Sequence, residues 1–166
     1  MWPGVARAPP RLLNGITLSR GESALITKAD MMNLLLAASP TFAENWDAFR
    51  REWADEADDL PLYLALSDFA RHVIAFLEAK DDERLRRIFD AVERLHVEGD
   101  HYVREAATVG LLEDLQNTNL HRTTDPEQLR PFLRPASLKW WDRVDSFWKG
   151  NPRALLQDRD GGPAAG

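Results

Sequence analysis

The sequence predicts an all-α fold: a compact antiparallel helical bundle of about six to seven helices with some α-solenoid (HEAT-like) character, spanning residues 27–149. Three observations carry this expectation. Apolar residues recur at spacings of three and four in almost every stretch, the period of one helix face. No stretch alternates apolar and polar residues with β-branched enrichment, so no sheet is expected. Turn chemistry (a Pro, a Gly, or an Asp, Ser or Thr cap) stands at each junction between stripes.

Thr27 caps the first helix, which runs to about Ala38, and Asp30 three residues on makes a capping-box variant; Met31, Leu34, Leu35 and Ala38 form its apolar side. Ser39-Pro40 opens the second helix, with Ser as cap and Pro where no N–H is needed. Phe42, Trp46, Phe49 and Trp53 then follow at spacings of four, three and four, an aromatic stripe on one face.

Pro61 starts the third helix, which reaches about Ala79 with Leu62, Leu66, Phe69, Val73, Phe76 and Leu77 on one side. Asp81 caps the fourth, where Asp82 and Glu83 suit the positive end of the macrodipole. Leu85, Ile88, Phe89, Val92 and Leu95 are its buried side, and Gly99 is expected as its C′ residue. Asp100 at once caps the fifth helix, which extends to about Asn117. Ala106 and Gly110 lie four apart there, so a neighbouring helix should approach closely; without such packing Gly110 would cost about 1 kcal/mol against Ala.

Asp125-Pro126 opens a short sixth helix with Leu129, Phe132 and Leu133, and Pro135 resets the chain before a last helix over 136–149. Leu138, Trp141, Val144 and Trp148 make its stripe, widened by Trp140 and Phe147. The third, fourth and fifth helices are joined by very short connections, which force antiparallel neighbours. Residues 1–26, broken by Pro3, Pro9, Pro10, Gly4, Gly15 and Gly21, read as a flexible arm, and residues 150–166 as a flexible tail.

Composition bounds the function. The 166 residues contain no cysteine, which excludes disulfides, thiol catalysis and Cys-based zinc sites and fits a reducing compartment. No apolar run is long enough to cross a membrane, and Arg7 and Arg11 interrupt any signal-peptide core, so a cytoplasmic location is expected. The net charge of −6 is uneven: residues 29–100 carry eight basic and seventeen acidic side chains. So acidic a region repels phosphate backbones, so no nucleic-acid partner is expected. A basic protein fits better, because complementary charge steers encounter.

No catalytic constellation stands out. Glu93 and His96 form one Glu-x-x-His within the fourth helix, whereas a carboxylate-bridged di-metal bundle needs such a motif on each of two helices plus further inward glutamates. Asp68/His72 and His101/Glu105 are one-turn pairs expected at helix surfaces. There is no G-x-S-x-G turn and no Gly-rich loop followed by Lys. No cofactor is expected.

Two polar patches are the candidate partner-binding residues. One is Asp55, Glu56, Asp58, Asp59 and Asp68 around the second and third helices. The other is Glu113, Asp114, Gln116, Asn117 and His121, a recognition edge if exposed and a fraying helix terminus otherwise. Trp140 points about 100° away from Trp141, so one of the two is a candidate interface residue. A stand-alone helical scaffold, or a homodimer joined through this Trp-bearing last helix, is the alternative to a foreign partner.

Three stretches carry a resemblance: Leu62-Tyr63-Leu64-Ala65-Leu66-Ser67-Asp68-Phe69-Ala70-Arg71-His72; Glu98-Gly99-Asp100 leading into Glu105-Ala106-Ala107-Thr108-Val109-Gly110-Leu111-Leu112-Glu113-Asp114-Leu115-Gln116-Asn117; and Phe132-Leu133-Arg134-Pro135 with Trp140-Trp141. Together, over about residues 40–149, they resemble a family of small all-helical bacterial proteins of unassigned function, of a kind similar to the immunity proteins that neutralise polymorphic toxins. The resemblance implies a non-enzymatic inhibitor that binds a cognate toxin with a basic cleft, and it carries no catalytic residue.

Overall fold

A computed structural model describes residues 24–155. Before the first helix begins, Ile26 is already tied in: it forms an isolated parallel bridge with Gly99, its N–H donating to Glu98 O at 2.8 Å and its carbonyl accepting from Asp100 N at 2.9 Å. Most of the arm expected over 1–26 lies outside the described residues. α1 (Lys28–Ala38) is capped as its sequence requires: the Asp30 carboxylate takes the Thr27 N–H at 3.3 Å and its hydroxyl at 2.9 Å. Met31, Met32 and Leu35 are buried.

A short 3-10 turn (Pro40–Phe42) leads into α2 (Ala43–Glu52). Pro40 sits at the first position as expected, but the Ser39 hydroxyl does not cap; it contacts His72 Nε2 at 3.0 Å. The aromatic stripe is half core. Phe42 and Phe49 are buried, while Trp46 and Trp53 are half-buried and pack on Phe49 at 5.7 and 6.2 Å. Beyond the adjoining turn α2 leans chiefly on α3, so one row of rings suffices to seat it.

α3 (Leu62–Glu78) and α4 (Asp82–Glu98) form an antiparallel hairpin. Lys80 holds a left-handed φ of 56° in the turn, where Asp81 N–H reaches back to Phe76 O at 2.9 Å and Lys80 N–H to Leu77 O at 3.1 Å. Asp81 then caps α4 by accepting the Arg84 N–H at 3.2 Å. Gly99 ends α4 at the C-cap, one position before the expected C′. Its φ is −73° and its ψ 150°, open to any residue; glycine is required by space, since a Cβ there would run into the Leu95 carbonyl and lie 2.6 Å from Val103 Cγ1.

The fifth rod, α5, is not a uniform α-helix. It opens as α-helix over His101–Glu105, widens to a π-helix over Ala106–Leu112, and returns to α-helix over Glu113–Gln116. Six of the seven π residues are buried. This segment packs against α3, α4 and the last helix, so it must bury nearly its whole circumference, which one stripe of period 3.6 cannot do. Gly110 supplies the expected close approach: a Cβ would stand 2.9 Å from Leu66 Cδ1 and 3.2 Å from Tyr63 Cδ1. α3 therefore lies against both α4 and α5, and the three rods close on one another as a bundle.

After α5 the chain makes 3-10 turns at Thr118–Leu120 and Pro126–Phe132. The second occupies the place of the expected sixth helix, and it is 3-10 rather than α; Asp125 opens it, accepting the Glu127 N–H and donating its own N–H to Gln128 Oε1, both at 2.8 Å. α6 (Pro135–Trp148) follows, with Trp141 and Val144 fully buried. Trp148 departs from the expected stripe and is 57% exposed. Past Gly150, Asn151–Leu155 turn back far enough to bury Ala154; the rest of the expected tail lies outside the described residues. Among the described residues there is no strand and no helix long and apolar enough to cross a membrane.

Candidate functional site

Two interior polar side chains, Glu93 and His96, have structural partners. Glu93 reaches from α4 to the start of α6, where its carboxylate accepts the N–H groups of Ala136 and Ser137 at 2.8 Å each and the Ser137 hydroxyl at 2.9 Å. The first N–H groups of a helix have no partner within it, so Glu93 is the cap of α6 supplied from another rod. Burial alone would raise its pKa; the Ser137 and Ala136 donors outweigh that and hold it below the ordinary glutamate value.

His96, 5% exposed, contacts Val92 O through Nδ1 and Thr108 Oγ1 through Nε2, both at 3.1 Å. Burial lowers its pKa to about 4, against weaker opposing pulls from the Val92 carbonyl and the Glu93 charge. It is neutral at pH 7, with Nδ1–H donating to Val92 and Nε2 accepting the Thr108 hydroxyl. That hydroxyl has one proton and a second acceptor, Arg104 O at 3.0 Å. Glu93 and His96 thus serve different elements. Among the described residues no group of three or more His, Asp or Glu side chains is arranged to hold a metal ion.

His72 shows a contact that sequence reasoning missed. Its Nε2 lies 3.0 Å from Ser39 Oγ and 3.1 Å from Thr41 Oγ1, amid the rings of Phe42, Phe69 and Phe76. Burial, then the nearby Arg84 charge, lowers its pKa. The expected Asp68–His72 pairing is not made; Asp68 instead meets Arg71 at 3.4 Å. Ser39 is 4% exposed, and among the described residues no carboxylate hydrogen-bonds the ring, so the contact reads as a tie between the 40–42 turn and α3.

In the patch at 113–121 several polar atoms bond within the fold. Gln116 Nε2 donates to Trp141 O at 2.8 Å, Asn117 Oδ1 accepts the Asn119 N–H at 3.1 Å, and His121 spans Leu115 O and Thr124 Oγ1 at 2.8 Å each. These polar atoms are used to fasten the irregular 117–134 segment and α6 onto α5. Glu113 and Asp114 stay half-buried, and burial, then the Asp114 charge, raises the Glu113 pKa. Trp140 is half-buried under the Arg143 guanidinium, 4.6 Å from its ring centroid.

The other acidic patch stays on the surface. Asp55, Glu56 and Asp58 are exposed on the connection between α2 and α3 and make no ion pair among the described residues. Asp59 binds Lys28 Nζ at 2.9 Å and so joins this connection to α1. Lys28 in turn stands 5.1 Å from the Tyr102 ring centroid, and Tyr102 meets Tyr63 edge-on at 6.3 Å and 80°. Tyr63 is 37% exposed, and Val109 38%, beside the Gly110 against which the Tyr63 ring rests. An aromatic surface therefore adjoins the acidic connection, built from α1, α3 and α5.

Tyr63 and Val109 were not among the expected site residues, although a signal existed. Leu62-Tyr63-Leu64 puts three apolar residues in one helical turn, and only Leu62 fits the core stripe, so the others must face outward. Val109 carried no such signal, because its direction follows from the π segment.

No curated protein and no solved structure matches the chain. A family model described as a domain of unknown function, DUF7674, matches residues 32–149, from the first turns of α1 to the residue after α6. By that match, which takes in all of the helical bundle but the first turn of α1, the chain belongs to the DUF7674 family.

Proposed function

We propose that this protein is a non-enzymatic protein-binding module: an immunity-type inhibitor of the bacterial cytoplasm that covers the basic cleft of a toxin with its acidic, tyrosine-bearing face. The observation that carries the reading is the contact chain Asp59–Lys28–Tyr102–Tyr63, which joins the exposed Tyr63 to the acidic connection, where Asp55, Glu56 and Asp58 are exposed and make no ion pair among the described residues. Tyrosines at the centre of a patch are frequent anchors of binding energy, and a charged rim steers the partner and selects its sign. A basic, nucleic-acid-handling cleft is the complement of such a face.

The test is the product of a toxin-like reading frame adjacent to this gene. The expected result is a one-to-one complex, protection of cells that express both proteins, and weakening by Asp55→Lys or Asp58→Lys that shrinks at high salt. Absence of both binding and protection would overturn the reading. The alternative, a homodimer through the last helix, is favoured by the exposure of Trp148 beside Phe147 (ring centroids 5.8 Å apart); a solution mass of two chains that Trp148→Ser halves would replace the inhibitor reading.

A further inference from the structure

Two tyrosines on this face sit beside carboxylates, and only one of the two pairings is closed. The closed one belongs to Tyr102. Lys28 Nζ stands 5.1 Å from its ring centroid while bonding Asp59 at 2.9 Å, so an aromatic face and a carboxylate hold one ammonium between them. The cation–π attraction to the ring and the ion pair reinforce each other there.

The open pairing belongs to Tyr63. Its ring lies edge-on to Tyr102, is partly exposed, and has no Lys or Arg over it among the cation–π contacts of the described residues. The neighbouring carboxylate is Glu105, which lies on α5 between the two residues the Tyr63 ring meets, Tyr102 and Gly110; burial and then its charge raise the Tyr63 pKa. Glu105 has no Lys or Arg partner among the described residues; its one ion-pair contact is His101 at 3.3 Å. Val109, one turn on from Glu105, adds an apolar wall.

We propose that Tyr63 and Glu105, walled by Val109, form an open seat for one arginine side chain of a basic protein partner, repeating with a foreign cation what Lys28 does on Tyr102. Arginine suits the seat better than lysine. Its planar guanidinium stacks flat on a ring and presents a fork of N–H donors to a carboxylate, and it gives up hydration more readily. The inference rests on the protein-binding reading above and names the group that this face recognises.

The experiment titrates the full chain, with its tyrosine rings labelled for NMR, with an oligoarginine peptide and its oligolysine counterpart at low salt. The Tyr63 ring resonances should shift to saturation with oligoarginine, with oligolysine binding about threefold or more weakly. Glu105→Gln and Tyr63→Leu should each weaken oligoarginine binding about tenfold, and Tyr63→Phe should stay within about twofold of the parent chain. Glu105→Gln is isosteric at an exposed position, so its result does not depend on refolding. If the peptide binds while the Tyr63 resonances stay still and Glu105→Gln binds like the parent, the seat is refuted and the acidic face stands. If the parent chain does not bind oligoarginine at all, the seat and the acidic-face reading fall together.

Discussion

Glu93 on α4 accepts the backbone N–H of Ser137 at 2.8 Å, closing the N-terminus of α6 from 44 residues away in the chain. A cap borrowed from another rod couples two events that are separate in most helices: α6 cannot dock without gaining its cap, nor be capped without docking. Removing the carboxylate should therefore loosen α6 in particular. Glu93→Ala should cost about 2 kcal/mol, from a lost cap and charge-assisted bonds to buried donors. Hydrogen exchange of α6 amides should accelerate more than that of α3 or α4; uniform acceleration would count against the coupling. Because the native pKa is lowered, the Glu93 contribution is present above the unfolded carboxyl value and fades as pH falls through the native one.

His96 should make stability depend on pH in a different window. Its native pKa of about 4 lies below the ordinary 6.5, so the unfolded chain binds the proton more readily. Stability should be complete above about pH 6.5, fall as the pH drops toward 4, and level off below that. The total is about 3 kcal/mol, of which about 2 is lost by pH 5. Urea midpoints at pH 7 and pH 5 measure it, with His96→Gln as the flat control. Equal pH slopes in the two chains would show that the ring is not held neutral.

Gly110 sets two effects against each other. Alanine gains about 1 kcal/mol of helix propensity, but its Cβ would stand 2.9 Å from Cδ1 of the fully buried Leu66 and 3.2 Å from Tyr63 Cδ1, so both side chains must shift. Overpacking of this kind costs about 1–3 kcal/mol, so Gly110→Ala should be net destabilising and lower Tm by a few degrees. Gly99→Ala should be worse, because the Cβ meets the Leu95 carbonyl, which is backbone and cannot rotate away. Calorimetry that ranked Gly110→Ala below Gly99→Ala in stability would contradict this packing.

The two acidic patches should separate cleanly under mutation. His121→Ala removes bonds to Leu115 O and Thr124 Oγ1 and should cost about 1–2 kcal/mol of stability while leaving affinity for a basic partner unchanged. Asp58→Lys, at an exposed position, should do the reverse, with stability within about 0.5 kcal/mol of the parent and association slowed. Thermal melts and association rates on both variants check the contrast.

Much of the fold was legible residue by residue. Thr27 with Asp30, Pro40, Asp81, Asp100 and Asp125 all act at the helix ends where they were expected, because capping is settled within one turn of chain. Gly110 was read correctly as a close-approach position, since a glycine inside a helix needs a packing reason. The π-helix over Ala106–Leu112 was not legible: the segment's apolar content suits an α-helix, and its widening answers to three neighbours at once. Nor were the uses of Gln116, His121 and Glu93, which spend their polar atoms on backbone groups of segments that only folding brings near.

Period and punctuation along the chain, both local properties, were enough to determine the helical class, the number and ends of most rods, and the acidic character of residues 29–100. Which polar side chains are spent inside and which remain exposed was decided by the tertiary structure alone. That choice depends on distances between residues far apart in sequence: Lys28 closes on Asp59 and Tyr102, whereas Tyr63 and Glu105 have no Lys or Arg over them among the described residues.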